Sequence, residues 1–282
     1  MTKLSIILPV HEFNESVAVY LRRGFASIKM QQKIETLPPI VLVYTHTAEQ
    51  AGLLEFIKEF TTPVEQTDVP LVINAVKNEG KTDFCSQINF GVANTDAEYF
   101  SILEYDDEYG TIYFNNVFTH IKDMPDVSMF LPFTIDVDDK TGSMVQIVNQ
   151  TIWSKGYVGE QGTLGYLNSK ALNEFSFYTI GGSVIKKSDF QASGGLKSNI
   201  KIAFSYEFLL RFIENTNKIY SLPKFGYKHI INRAGSLFAG YGAAMSMKER
   251  RFWFETAKKE CHFYNDRAID TTILTEPELT VA

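Results

Sequence analysis

Cysteine is scarce, with only Cys85 and Cys261 among 282 residues. The two lie far apart and match no metal-ligand spacing, which excludes a disulfide framework and favours a reducing compartment. Long hydrophobic runs are also missing. No stretch approaches the roughly 20 apolar residues that cross a bilayer, so membrane contact would be peripheral, not integral. The opening MTKLSIILPV ends its apolar run at Pro9 with neither a secretory core nor a small-residue cleavage site, and reads as a first strand in a cytoplasmic protein. A basic surplus is lacking too. The formal net charge is −6, which argues against non-specific binding to a phosphate backbone. The one basic cluster, Lys248, Arg250, Arg251, Lys258 and Lys259, reads as the solvated face of a C-terminal helix. No internal repeat or low-complexity block is found.

What the chain does have is enough apolar material, 45% of its residues, for one large domain or one domain with an appended lobe. Over the first hundred residues, apolar runs of strand length (4–10, 40–44, 71–76, 99–103) alternate with segments of helical period. That is a βαβ series. Val17, Leu21, Phe25 and Ile28 form one helical stripe behind a capping Asn14, and Phe84, Ile88 and Val92 form another behind Thr82. Strands reading as unbroken Ile/Leu/Val runs are covered on both faces, which predicts a mostly parallel sheet flanked by helices. Ligands of such sheets bind beyond the carboxyl ends of the strands.

After residue 126 the pattern changes. Two strands joined by a turn at 138–142 read as a hairpin, and 153–176 reads as a loop carrying Trp153, Tyr157 and Tyr166, which stack on a sugar or base or on each other. A strand over 177–185, a glycine pair (Gly194, Gly195), a helix with Phe204, Phe208 and Phe212 on one stripe, and two short strands around Ile219 and Tyr227 follow. Ser246 with Glu249 three residues on is a capping box opening a last helix.

The strongest local signal is Glu104-Tyr105-Asp106-Asp107-Glu108, directly after the apolar run YFSIL. Four crowded carboxylates repel one another, and a hard cation relieves that repulsion. Mn2+ or Mg2+ takes one or two protein carboxylates and leaves positions for phosphate oxygens. A solvated acidic turn is the alternative.

With these residues in view, the sequence resembles a family 2 glycosyltransferase of the GT-A fold. LSIILPVHEFNES resembles that family's first strand and loop; Asn78-Glu79-Gly80 and FCSQINFGVANTDAEYFSILEYDDE resemble its asparagine–glycine turn, helix and metal-bearing strand end. GGSVIKKSDFQASGGL, SYEFLLRF and INRAGS resemble its acceptor-side strand, following helix and closing loop. The resemblance spans about residues 3–238. It implies an α/β, Rossmann-like GT-A domain over 1–240, its nucleotide-sugar half at 1–110 and a smaller acceptor lobe at 111–240, then a helical extension and tail at 241–282.

By the same resemblance the donor is a nucleoside-diphosphate sugar, uridine-linked by first expectation, and transfer to an acceptor hydroxyl inverts the anomeric carbon. Pro9, Val10, His11 and Glu12 would line the base and ribose, with Asn78, Gly80 and Lys81 close by; Tyr44 has a ring that could stack on the base, at a position where the sequence departs from the family. Glu104, Tyr105 and Asp106 stand on the acidic motif; Asp106, Glu104 and Asp107 would hold the metal. Gly194 and Gly195 would turn below the transferred sugar, and Arg233 and Ser236 would close over the diphosphate. Glycan, lipid, protein and small-molecule acceptors all fit; a hydroxylated DNA base is a further candidate, against which the acidic net charge counts.

Two departures stand out. The loop after the second strand lacks the family's aspartate and reads Val43-Tyr44-Thr45-His46-Thr47. The acidic pair that supplies the family's catalytic base is replaced by Phe204 and Ser205. Glu207, Asp189 and Glu174 are the remaining candidates for a base, although Glu207 and Arg211 also have helical ion-pair spacing. A nucleotide-sugar-binding protein that has lost catalysis is the first rival. A nucleotidyltransferase ranks third, because no glycine-rich basic loop follows the first strand.

Overall fold

The four N-terminal apolar runs fold as parallel strands. In the computed structural model, which describes residues 3–63, 69–154, 164–233 and 235–275, β1 (Leu4–Val10) and β2 (Ile40–Tyr44) are buried at every position. With β3 (Ile73–Lys77) and β4 (Tyr99–Ile102) they line up in the order β3-β2-β1-β4. The crossovers are α1 (Glu15–Lys29), α2 (His46–Gln50) with α3 (Leu53–Thr61), and α4 (Phe84–Ala93). Asn14 caps α1, accepting from the Val17 N–H at 3.0 Å, and the stripe Val17, Leu21, Phe25 and Ile28 is buried. At α4 the cap is Asp83 rather than Thr82: its carboxylate accepts from the Ser86 N–H, while the Thr82 carbonyl accepts from Gln87.

Beyond β4 the sheet becomes mixed. There follow β5 (Glu108–Tyr109), α5 (Tyr113–Asp123), the hairpin of β6 (Met129–Asp138) and β7 (Met144–Val148), α6 (Ser169–Glu174), β8 (Val184–Lys186), α7 (Lys187–Ala192), α8 (Phe204–Glu214) and β9 (Ile219–Ile231). The chain then continues through α9 (Leu237–Ala244), α10 (Met247–Glu260) and α11 (Thr272–Thr275). The full order is β3-β2-β1-β4-β8-β6-β9-β5, with β7 on β6. This is the α/β, GT-A-like architecture: a central sheet, parallel through its N-terminal half, between two layers of helices. Alternate residues of β1 and β2 feed two cores, Ile7, Val41 and Val43 towards α4 and α8, and Ile6, Leu8 and Leu42 towards α1 and α3.

Three elements differ from the sequence expectation, the first being helix α6, which lies inside the stretch 153–176 expected as a loop. The strand over 177–185 is realised only as Val184–Lys186, because Gly182 turns the chain at φ +71° beneath the Tyr227 ring. The two short strands around Ile219 and Tyr227 are one 13-residue strand, whose Pro223–Gly226 stretch is absorbed by register shifts opposite Pro132 and Phe133. In the expected loop, Trp153 and Tyr166 pack on Tyr220, with ring centroids 5.8 and 5.1 Å away. Tyr157 lies outside the described residues. No helix among the described residues is long and apolar enough to cross a membrane.

Candidate functional site

Parallel register decides where the loops gather. Val10 pairs with Tyr44, Tyr44 with Lys77, and the Leu103 N–H bonds the Ile7 carbonyl, so the loops after all four parallel strands open on one edge. Strand β9 runs parallel to β6 and brings His229, Ile230 and then Arg233 to the same edge. Between them lies a cleft of about 240 Å³. Of the residues expected from sequence, Pro9, His11, Glu104, Tyr105, Asp106, Arg233 and Ser236 line it. A larger hollow of about 960 Å³ lies at the amino ends of the strands, by Lys3–Ser5 and 94–97, away from the acidic run.

Other expected residues do not line the cleft. Val10 and Tyr44 are buried in the core. Thr45 bonds the His11 carbonyl at 2.6 Å and caps α2, fixing the β1 loop from the side. Asn78 closes its own turn, donating to the Lys81 carbonyl at 2.9 Å and accepting from the Gly80 N–H at 3.0 Å. Gly80 and Lys81 are exposed, and Glu12 stands beside His11, 3.8 Å away.

The glycine pair and the candidate bases lie elsewhere. Gly194 and Gly195 adopt φ +82° and +68° and back onto Tyr264 and Asn89, outside the cleft lining. Glu207 is fully buried, bonded through both oxygens to Arg211 at 2.8 Å and to Lys197 at 2.7 Å. Its helical face points into the core, so the ion pair is what the spacing produces. Asp189 follows β8, which runs antiparallel to β4 and pairs Lys186 with Tyr99, so it sits at the opposite edge of the sheet from Asp106. Glu174 is exposed at the end of α6.

Sequence reasoning missed Thr82, Asp83, Gln87, His229, Ile230 and Tyr241 as cleft residues. The first three open α4, and an N-terminus at a strand's carboxyl edge is a signal that was there to read. His229 was hidden inside an apolar strand. The N-terminal residues of α4 (Phe84) and α8 (Phe204), and Ser236 and Tyr241 at α9, converge on this one cleft, and helix N-termini favour anions.

Charge in the cleft is organised in two groups. Arg233 Nε donates to Asp106 Oδ2 at 2.5 Å, with both side chains only 10% exposed. The guanidinium lies 4.9 Å over the Tyr105 ring and 5.8 Å from that of Tyr20, which is itself anchored by its hydroxyl to Asp139 at 2.7 Å. The second group is Glu104, Asp107 and His229, each offering one atom within 4.8 Å of the others. Asp107 Oδ1 accepts from the Ile230 N–H at 2.8 Å, while Oδ2 accepts no hydrogen bond from the described residues. Burial pushes the Glu104 carboxyl up to about 7 and raises Asp107 as well. His229 rises to about 10: desolvation opposes its charge, but the neighbouring Asp107 and a 2.9 Å bond to Asp136 outweigh it.

Asp106 is not placed to take the divalent ion that the resemblance implies. Asp106, the expected main ligand, already holds a guanidinium. An ion about 2.1 Å from the same carboxylate would stand about 4–5 Å from Arg233. At an effective dielectric near 20 that is a repulsion of about 7 kcal/mol, which works against the ion's attraction to the carboxylate. Glu104, Asp107 and His229 form a separate group beside it, in which His229 Nδ1 is bonded to Asp136 at 2.9 Å. The Arg233 guanidinium already answers Asp106 in the acidic run.

No family model and no curated protein matches the chain. Solved structures do. The crystal structure of S. aureus TarS 1–349 in complex with UDP-GlcNAc superposes with a TM-score of 0.65 at 16% identity, over 92% of this chain and 65% of that one. The same TarS fragment in complex with UDP gives 0.60 at 13% identity, over 89% and 78%. The chain spans 44% of the longer S. aureus TarS crystal structure, with a TM-score of 0.58 at 16% identity. At these identities the likeness establishes the fold.

Proposed function

We propose that the chain is a glycosyltransferase that takes a sugar from a uridine diphosphate donor and passes it to an acceptor hydroxyl. The observation that carries this reading is the cleft itself. At the carboxyl edge of the parallel strands it combines an acidic strand end, a buried arginine and the starts of three helices, on a fold whose TarS relatives hold UDP and UDP-GlcNAc. Pro9, His11 and Tyr105 give the base and ribose an apolar and aromatic wall, while Arg233 and Ser236 face the diphosphate. In the transfer, the acceptor oxygen forms a bond to the anomeric carbon as the carbon–oxygen bond to the diphosphate breaks. The electron pair leaves with the diphosphate, and the acceptor proton goes to a base. Inversion at that carbon belongs to the proposal.

One observation favours the non-catalytic alternative. Phe204 lines the cleft at the start of α8, where the resemblance puts the acidic pair, and Glu207, Asp189 and Glu174 all point elsewhere. A thermal-shift and calorimetric series with UDP-, GDP- and CMP-sugars tests the donor pocket, since a ligand of the folded state raises its melting temperature by mass action. UDP-sugars are expected to give the shift, and a flat response to all three sinks the donor assignment. Release of UDP on adding mixed glycan, lipid or hydroxylated-DNA acceptors separates the transferase from a binding protein.

A further inference from the structure

The diphosphate of the proposed donor needs positive charge, and the cleft supplies it from its own side chains. We propose that donor binding in this protein requires no divalent metal, because the Arg233 guanidinium, held on Asp106, stands in the place the resemblance gives to the ion. This deepens the donor reading and rests on it.

Three observations carry the step. Arg233 is buried, yet it lines the cleft beside Ser236 and Glu104. Asp106 orients it through Nε, and Tyr105 and Tyr20 approach the guanidinium at 4.9 and 5.8 Å, so the cation is positioned before any ligand arrives. A planar guanidinium suits phosphate oxygens through paired donors, which a spherical ion matches only by adding water or ligands of its own. The loop that delivers it is short and turned: the Ser236 N–H bonds the Arg233 carbonyl at 3.2 Å, and Gly235 adopts φ +79°. Helix α9 begins directly after it, and its amide end adds to the positive field. Asp106 acts here as a positioning residue. Its carboxylate sets the side-chain angle of Arg233 and offsets its charge.

The test is calorimetric titration of UDP and UDP-GlcNAc into the full chain after EDTA treatment, repeated in excess MnCl2. The expected result is binding in EDTA with a Kd within about twofold of that in manganese. Arg233→Ala should weaken UDP binding in EDTA by about 10- to 100-fold, the range for a charge-assisted phosphate contact. It should also regain part of that affinity when manganese is added, because Asp106 is then free to take the ion. Arg233→Lys, which keeps the charge but not the fork, is expected to fall between the two and guards against a misfolded alanine variant. UDP binding that appears only with manganese in the unmutated protein overturns the inference and leaves the donor reading standing. An Arg233→Ala variant that melts normally and binds as before in EDTA also overturns it. Failure to bind UDP under either condition overturns both.

Discussion

Glu207 sits fully buried between two cations. Arg211 grips both its oxygens, Lys197 reaches Oε1 at 2.7 Å, and Arg211 also donates to the Ser193 and Gly195 carbonyls that shape the glycine turn. Removing one partner of a buried ion pair leaves the other charge uncompensated, at a cost of about 3–5 kcal/mol. Glu207→Gln is therefore expected to lose that much in urea denaturation, with UDP affinity at low temperature unchanged. A variant of full stability that loses turnover instead would return Glu207 to the role of base. The residue shows why the sequence was ambiguous: i, i+4 spacing to Arg211 was legible, but the direction of the side chain depends on which helical face meets the core. Asp106 and Arg233 were each named from the sequence. Their contact was not, because 127 residues separate them and a long-range ion pair leaves no local pattern.

At the scale of elements, what the sequence made readable was whatever a short window decides. Unbroken apolar runs marked the parallel strands, and Asn14 and Ser246 marked two helix starts. Strand β9 was read as two because Pro223 and Gly226 punctuate it, and the bulges in β6 that keep it continuous are a property of the partner. The same element carries Tyr227, whose hydroxyl accepts from the Glu104 N–H at 3.0 Å and so holds the acidic turn to the sheet. Gly182 lies directly beneath that ring. A methyl there would stand 2.4 Å from the ring's edge, at a φ of +71° that alanine resists. Gly182→Ala is expected to cost about 2–4 kcal/mol through overpacking and backbone strain, and to weaken UDP binding as Tyr227 is pushed off Glu104. Denaturation midpoints and titration of the variant check both halves; a midpoint equal to that of the unmutated protein rejects the packing argument.

For the whole molecule the question is whether the residues after 240 are an appendage or part of the domain. Helix α10 lays Trp253 and Ala257 against α8 in the core that also holds Ile7 and Phe100. Lys197 donates to the Glu260 carbonyl at 2.6 Å, Glu260 pairs with Arg267 at 2.8 Å, and Asp266 accepts from Ser198 at 2.9 Å. These bonds tie the C-terminal segment to residues 197–199, and Lys197 in turn holds Glu207. A segment joined through one shared core and one buried charge network unfolds with it, not before it. Trp253→Ala removes a side chain only 2% exposed, an expected loss of about 3–5 kcal/mol. Scanning calorimetry should then show one transition, moved down as a whole. A separate early transition, with the donor cleft still binding UDP above it, would instead make α10 an independent cover over a complete domain.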